Sequence, residues 1–178
     1  MTIKLTRFSD IPKFTSWGNY AVDIGIDYLE DWLNDKINKL GLNLDPDYQR
    51  DYCWTEEQKV AYMEFVLRGG KSSNILLFNC PGWMMDFRGP FELVDGKQRI
   101  NAILGFLHNE FPVFGSYYSE FTDKFRLCPF SFKIVINDLK TREEVLSWYL
   151  DINSGGTVHT DEELNRVRRL LKDERDPS

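Results

Sequence analysis

Residues 91–107 read FELVDGKQRINAILGFL, and this stretch decides the fold. Phe91 to Val94 is strand-like, Asp95-Gly96 is a tight-turn pair, and Ile100, Ile103, Leu104 and Leu107 recur at helical spacing. The apolar period therefore switches at the turn from that of a strand to that of a helix. The stretch from Phe91 to about Asn109 reads strand, turn, helix.

Working outward towards the N-terminus, Ile75 to Phe78 reads as a short buried strand. Before it, Thr55 with Gln58 forms a capping box that predicts a helix over 56–68, stopped by Gly69-Gly70. Ile26, Leu29, Leu33, Ile37 and Leu40 predict an earlier helix that Gly41 ends. Asn43 to Asp45 reads as the tail of a strand. The segment with Phe14, Trp17 and Tyr20 reads as an aromatic loop after a short alternating stretch, Thr2 to Arg7. On the C-terminal side, alternation at Phe130, Phe132, Ile134 and Ile136 predicts a half-buried strand. Two more capping boxes, Thr141 with Glu144 and Thr160 with Glu163, start helices near 142 and 161, and Ile152 to Gly156 lies between them. Phe111 to Lys124 carries no readable period.

At 178 residues the chain is long enough for one domain, 1–178, with a polar tail at 173–178 expected to fray. A hydrophobic fraction of 42% with 28% charged residues excludes disordered and fibrous classes. Acids exceed bases, 28 to 22, for a net charge of −6, so the surface as a whole does not attract nucleic acid or an anionic membrane. Any phosphate must be held by a local basic cluster. Cys53, Cys80 and Cys128 are odd in number and widely spaced, the start lacks a signal-peptide core, and no apolar run spans a bilayer. A soluble protein of the reducing cytoplasm is expected.

Three segments can carry chemistry. In Asp95-Gly96-Lys97-Gln98-Arg99 two cations occupy the first turn of a helix, where the dipole already supplies positive charge, an arrangement that makes sense if an anion such as phosphate binds there. Gly96 lets the backbone approach that anion, and Asp95 offers a carboxylate for a magnesium ion or an attacking group. The alternative is that Asp95 caps the helix and the bases are solvated. The loop from Pro46 to Trp54 offers Tyr48, Gln49, Arg50, Tyr52 and Trp54 for a phosphate or a base, or else forms an apolar lid with Arg50 paired to Asp47 or Asp51. Asn153-Ser154-Gly155-Gly156 forms an anion-binding nest or a helix C-cap. Gly69-Gly70-Lys71-Ser72 lacks the spacing of a phosphate-binding loop, and His108 and His159 stand at no metal-ligand spacing.

The ordered trio YQRDYCW, ELVDGKQR and INSGG resembles the N-terminal domain of GmrSD-type modification-dependent restriction enzymes, a family marked by an Asp-Gly-Gln-Gln-Arg motif within the ParB/sulfiredoxin-like fold. The resemblance covers about 24–170. It implies an α/β (α+β) domain with a small mixed sheet flanked by helices, a nucleoside triphosphate such as ATP or GTP near the DGKQR turn, and work on DNA, often in phage–host conflict. The wider fold includes hydrolases, small-molecule kinases, a phosphate-activating reductase and CTP-gated DNA clamps. Lys97 stands where the family has its first glutamine. The stretch to Ser178 contains no His-Asn-His nuclease domain, so cleavage by that route is not expected of it.

The expectation is thus a nucleotide-dependent phosphoryl-chemistry enzyme, an NTPase or a kinase acting plausibly on DNA, in the cytoplasm, or in the host cytoplasm if phage-encoded. Asp95, Gln98 and Arg99 would be catalytic, with Asp95 also the Mg2+ ligand. Tyr48, Gln49, Arg50, Gly96, Lys97, Arg99, Asn153, Gly155 and Gly156 would bind the nucleotide. The rival is a non-catalytic module that senses a nucleotide or modified DNA, or blocks a host complex. The three segments are expected to converge on one concave site.

Overall fold

The computed structural model describes residues 6, 7, 11, 20–83, 85–124, 130–154 and 161–175. Within these residues, four strands and five α-helices follow in the order β1 (Tyr20–Gly25), α1 (Leu29–Leu40), α2 (Glu56–Leu67), β2 (Ile75–Asn79), β3 (Glu92–Asp95), α3 (Lys97–Leu107), β4 (Ser131–Asn137), α4 (Arg142–Ser154) and α5 (Asp161–Arg175). The sheet order is β1-β4-β2-β3. β2 runs parallel to β4, while β1 with β4 and β2 with β3 are antiparallel, so the sheet is mixed and flanked by helices as expected.

Both faces of the sheet are covered at β2 and β3. Leu76, Phe78 and Leu93 join a large cluster with Leu29 and Leu33 of α1, Met63 of α2, Ile103 and Phe106 of α3, and Phe132, Ile134 and Ile136 of β4. Val94 points the other way, into a second cluster with Tyr48, Val145, Leu146, Tyr149 and Val167, against which Leu77 also packs. This explains why Leu93 and Val94 are apolar in succession: a strand buried on both faces has no polar side to alternate there.

Local signals fixed most element ends. Gly41 takes φ 66° and closes α1 with a left-handed cap that a β-carbon disfavours. The Thr55–Gln58 box is formed in both directions, and α2 starts at Glu56. At α4, Glu144 N–H donates to Thr141 at 3.2 Å and Thr141 N–H to the Glu144 carboxylate at 3.0 Å. Thr160, Cys128, Phe14, Trp17 and Thr2 to Leu5 lie outside the described residues. Cys80 is buried and Cys53 exposed, and neither is in a disulfide.

Two expectations are corrected and one alternative is removed. Tyr20 is not in a loop but opens β1, where half-buried Tyr20, Val22 and Ile24 alternate with exposed Ala21 and Asp23 and pair in register with β4. Asn43 makes only an isolated bridge to Glu92, its N–H donating to Phe91 O at 2.8 Å and its carbonyl accepting from Leu93 N–H at 2.9 Å. Asp95 is the last residue of β3 and not a helix cap; Gly96 stands at the cap position of α3 with no side-chain capping bond.

Gly96 has φ +121°, and a β-carbon there would lie 2.5 Å from Leu76 Cδ2. Gly96→Ala should therefore lose about 1–3 kcal/mol of stability from backbone strain, before any cost of moving Leu76. Urea unfolding measures it; an unchanged midpoint would show that the strand-to-helix turn tolerates a side chain.

Candidate functional site

The loop between α1 and α2 folds back onto the first turn of α3, and two α3 side chains hold it there. Lys97 is buried, 4% exposed. Its ammonium forms an ion pair with Asp45, donates to Arg50 O at 2.9 Å and lies 4.7 Å from the centre of the Tyr52 ring. Gln98 spends both ends of its carboxamide on the same loop: Nε2 donates to Asp51 O at 2.8 Å, and Oε1 accepts from Cys53 N–H at 3.1 Å and Trp54 N–H at 3.3 Å. Buried polar groups are tolerated only when satisfied in this way. Lys97 and Gln98, expected to meet phosphate and nucleophile, are thus committed to holding the loop.

The start of the loop is anchored from the other side. Asp47 receives both carboxylate contacts of Arg142 Nη2, at 2.8 and 2.7 Å, and its carbonyl accepts from Arg166 at 2.6 Å. This removes Asp47 as the partner of Arg50. Tyr48 is 2% exposed and packs edge-on against Tyr149 with ring centres 5.2 Å apart, its hydroxyl near Leu93 O and Glu92. Burial pushes its hydroxyl pKa far upward. Tyr48 is therefore a core residue rather than a ligand contact. Gln49 is buried as well, and its Nε2 donates to Leu93 O.

Between these anchors lies a cavity of about 540 Å3. Arg50, Asp95, Gly96, Arg99 and Asn153 all line it, joined by Gln49 and the α3 residues Lys97 and Gln98. The three motif segments do meet at one concavity. Gly155 and Gly156 lie outside the described residues, and Asn153 itself belongs to α4, its Nδ2 donating to Tyr149 O at 2.7 Å. Arg50 is half-buried, and among the described residues its guanidinium has no hydrogen-bond or ion-pair partner. Arg99 forms an ion pair with Asp95, while its Nε is buried without a hydrogen-bond partner.

Sequence reasoning did not single out several of the walls. Gln58, Ala61 and Tyr62 come from α2, Ser73 from the turn after it, and Tyr149 and Ile152 from α4. Their spacing held a usable signal, since residues four apart on a helix share a face: Gln58 with Tyr62, and Tyr149 with Asn153. Trp54 packs edge-on against Tyr62 at 5.2 Å and so is part wall, part core, whereas Tyr52 is 56% exposed and does not line the cavity. Burial pushes the Tyr149 hydroxyl up to about 12, with the Arg50 charge pulling the other way. The Tyr62 hydroxyl is pushed up by burial too and donates to Ser73 O at 3.1 Å.

Among the described lining residues, Asp95 is the single carboxylate against Arg50, Lys97 and Arg99. It is already paired with Arg99, and no group of three His, Cys, Asp or Glu side chains among the described residues is placed to hold a metal. Magnesium is usually held by one or two protein carboxylates with phosphates and water completing the shell. Asp95 as a Mg2+ ligand would therefore need phosphate oxygens and water to complete the shell.

The model for the GmrSD restriction endonuclease N-terminal domain matches residues 29–130, more than half of the chain. No curated protein matches the sequence. Among solved structures, the chain is similar to the C-terminally truncated chromosome-partitioning protein ParB from Caulobacter crescentus, in a crystal with CTP-gamma-S, at 14% identity and a TM-score of 0.41. That alignment covers 89% of this chain and 66% of that one, just under two thirds of its length. Among the described residues, no helix is long and apolar enough to cross a membrane.

The clamp on the loop is open to direct test. Lys97→Met keeps the apolar stem and leaves Arg50 O and Asp45 without their cation, so stability should fall by about 1.5–3 kcal/mol. Limited proteolysis should also cut faster between residues 46 and 54. Wild-type stability and an uncut loop would mean that Lys97 does not hold it.

Proposed function

This chain belongs to the family of GmrSD restriction endonuclease N-terminal domains, and from that premise we propose that it binds a nucleoside triphosphate, with the phosphates between Arg50 and Arg99 at the start of α3. One observation carries the reading: an acidic chain of net charge −6 gathers Arg50, Lys97 and Arg99 around a cavity with one lining carboxylate. The α3 N-terminus adds the positive end of its dipole, with no acidic residue in its first turn. The volume of about 540 Å3 falls within the roughly 300–1,000 Å3 of small-molecule sites. Trp54, Tyr62 and Tyr149 offer ring surface for a base.

Beyond binding, the proposed activity is phosphoryl chemistry: hydrolysis of ATP, GTP or another triphosphate, or passage of its terminal phosphoryl to an acceptor such as DNA. Such transfer asks for positioning and charge neutralisation more than for covalent catalysis. Arg50 and Arg99 neutralise, and Asp95 orients the attacking water or hydroxyl. Mg2+ arrives only as the counter-ion of the nucleotide, and no step is assigned to a metal held by the protein. The cytoplasm, of the host if the chain is phage-encoded, supplies both nucleotide and DNA. A second reading, a nucleotide sensor without turnover, is favoured by the commitment of Lys97 and Gln98 to the loop, because a ligand seated there reports on the loop's position.

Calorimetry with each of the four ribonucleoside triphosphates tests binding, and phosphate release with and without Mg2+ separates enzyme from sensor. Arg50→Ala should weaken triphosphate binding by about 1.5–3 kcal/mol, the range for a charge-assisted contact. Its melting temperature should hold, since the guanidinium has no hydrogen-bond or ion-pair partner among the described residues. Undiminished affinity in Arg50→Ala would take the phosphates out of this cavity.

A further inference from the structure

We propose that Asp95 is a resident stand-in for phosphate: it occupies the Arg99 guanidinium in the empty site, and an incoming polyanion takes Arg99 over while the carboxylate is released to solvent. The inference deepens the nucleotide reading and rests on it. It follows from comparing the three cations of the cavity. Arg50 has no partner to lose among the described residues. Lys97 cannot leave its place, because its side chain is 3% exposed and its ammonium serves Asp45, Arg50 O and the Tyr52 ring together. Among the described residues, Arg99 is the cation with a single exchangeable partner, Asp95.

That partner is cheap to release. The Asp95 side chain is 40% exposed, so a freed carboxylate is rehydrated at once, whereas the Arg99 side chain is 18% exposed and stays in the wall. The resident pair also leaves Arg99 under-satisfied, with Nε buried and unpartnered. A tetrahedral phosphate presents several oxygens and can engage a guanidinium through more than one donor. The turn favours the pairing: Gly96 joins residues 95 and 99 through a backbone at φ +121°, where a β-carbon would be strained and would stand 2.5 Å from Leu76 Cδ2. Tyr62 faces both charges, but its hydroxyl is occupied by Ser73 O and does not compete for Arg99.

A resident anion competes with the ligand, so removing its charge should tighten binding. A Mg2+ ligand would give the reverse. The test uses the full chain, inorganic triphosphate as the probe, and buffer free of divalent ions. Asp95→Asn should bind about two- to five-fold tighter than wild type, the scale of a partly exposed ion pair. In an Arg99→Ala background the same substitution should give no gain, because the effect acts through Arg99. Equal or weaker binding by Asp95→Asn, or an equal gain without Arg99, overturns the exchange. Melting temperature monitors the fold; should Asp95→Asn not fold, Asp95→Ser carries the same expectation, and failure of both would make the pair structural and end the proposal. If wild type binds neither inorganic triphosphate nor any nucleotide, the nucleotide reading falls with it. Binding by wild type alongside an overturning Asp95→Asn result removes only the exchange.

Discussion

The ammonium of Lys97, closed in among Asp45, the Arg50 carbonyl and the Tyr52 ring, is the contact on which the site depends. A buried cation is costly unless its surroundings satisfy it, so the loop has little freedom to adopt another path while Lys97 sits beneath it. Gln98 extends the same constraint by three further backbone bonds. Arg50 is therefore aimed at the cavity by its main chain, which leaves its side chain unspent. The strand-turn-helix that organises the sheet also organises the loop.

Charge is sorted in this molecule by accessibility. Acidic side chains dominate the chain as a whole, yet the cavity is rimmed by cations whose compensating carboxylates, Asp45 and Asp95, are 63% and 40% exposed. Water screens those carboxylates more than it screens the cations facing inward.

Most of the architecture was legible because its signals are local. Gly41 and the boxes at Thr55 and Thr141 mark element ends through hydrogen bonds made within a few residues. β1 was missed because its alternation, Tyr20, Val22 and Ile24, runs straight into a helical period and is stabilised by pairing with a strand more than 100 residues away. The motif residues were found, but their division of labour was not. Lys97 and Arg99 look alike in the sequence, and only the position of Asp45 and the Arg50 carbonyl decides that one is clamped and the other faces the cavity. Tyr48 illustrates the same point: its neighbour in the motif lines the site, while it packs against Tyr149, 101 positions on.

The cavity lies on the seam between the two hydrophobic clusters. Trp54 and Tyr62 come from one, and Val94, Tyr149 and Ile152 from the other. The α4–α5 hairpin meets the sheet at β3 through Val94 and reaches the loop through Arg142 and Arg166. Such a unit can detach by partial unfolding at less cost than opening the whole domain. A molecule that touches Tyr149, Ile152 or Asn153 binds better while the hairpin is docked, so by mass action it shifts that equilibrium towards the closed form. Occupancy would then be written into the protein as slower amide exchange along α4 and also along α5, none of whose described residues lines the cavity.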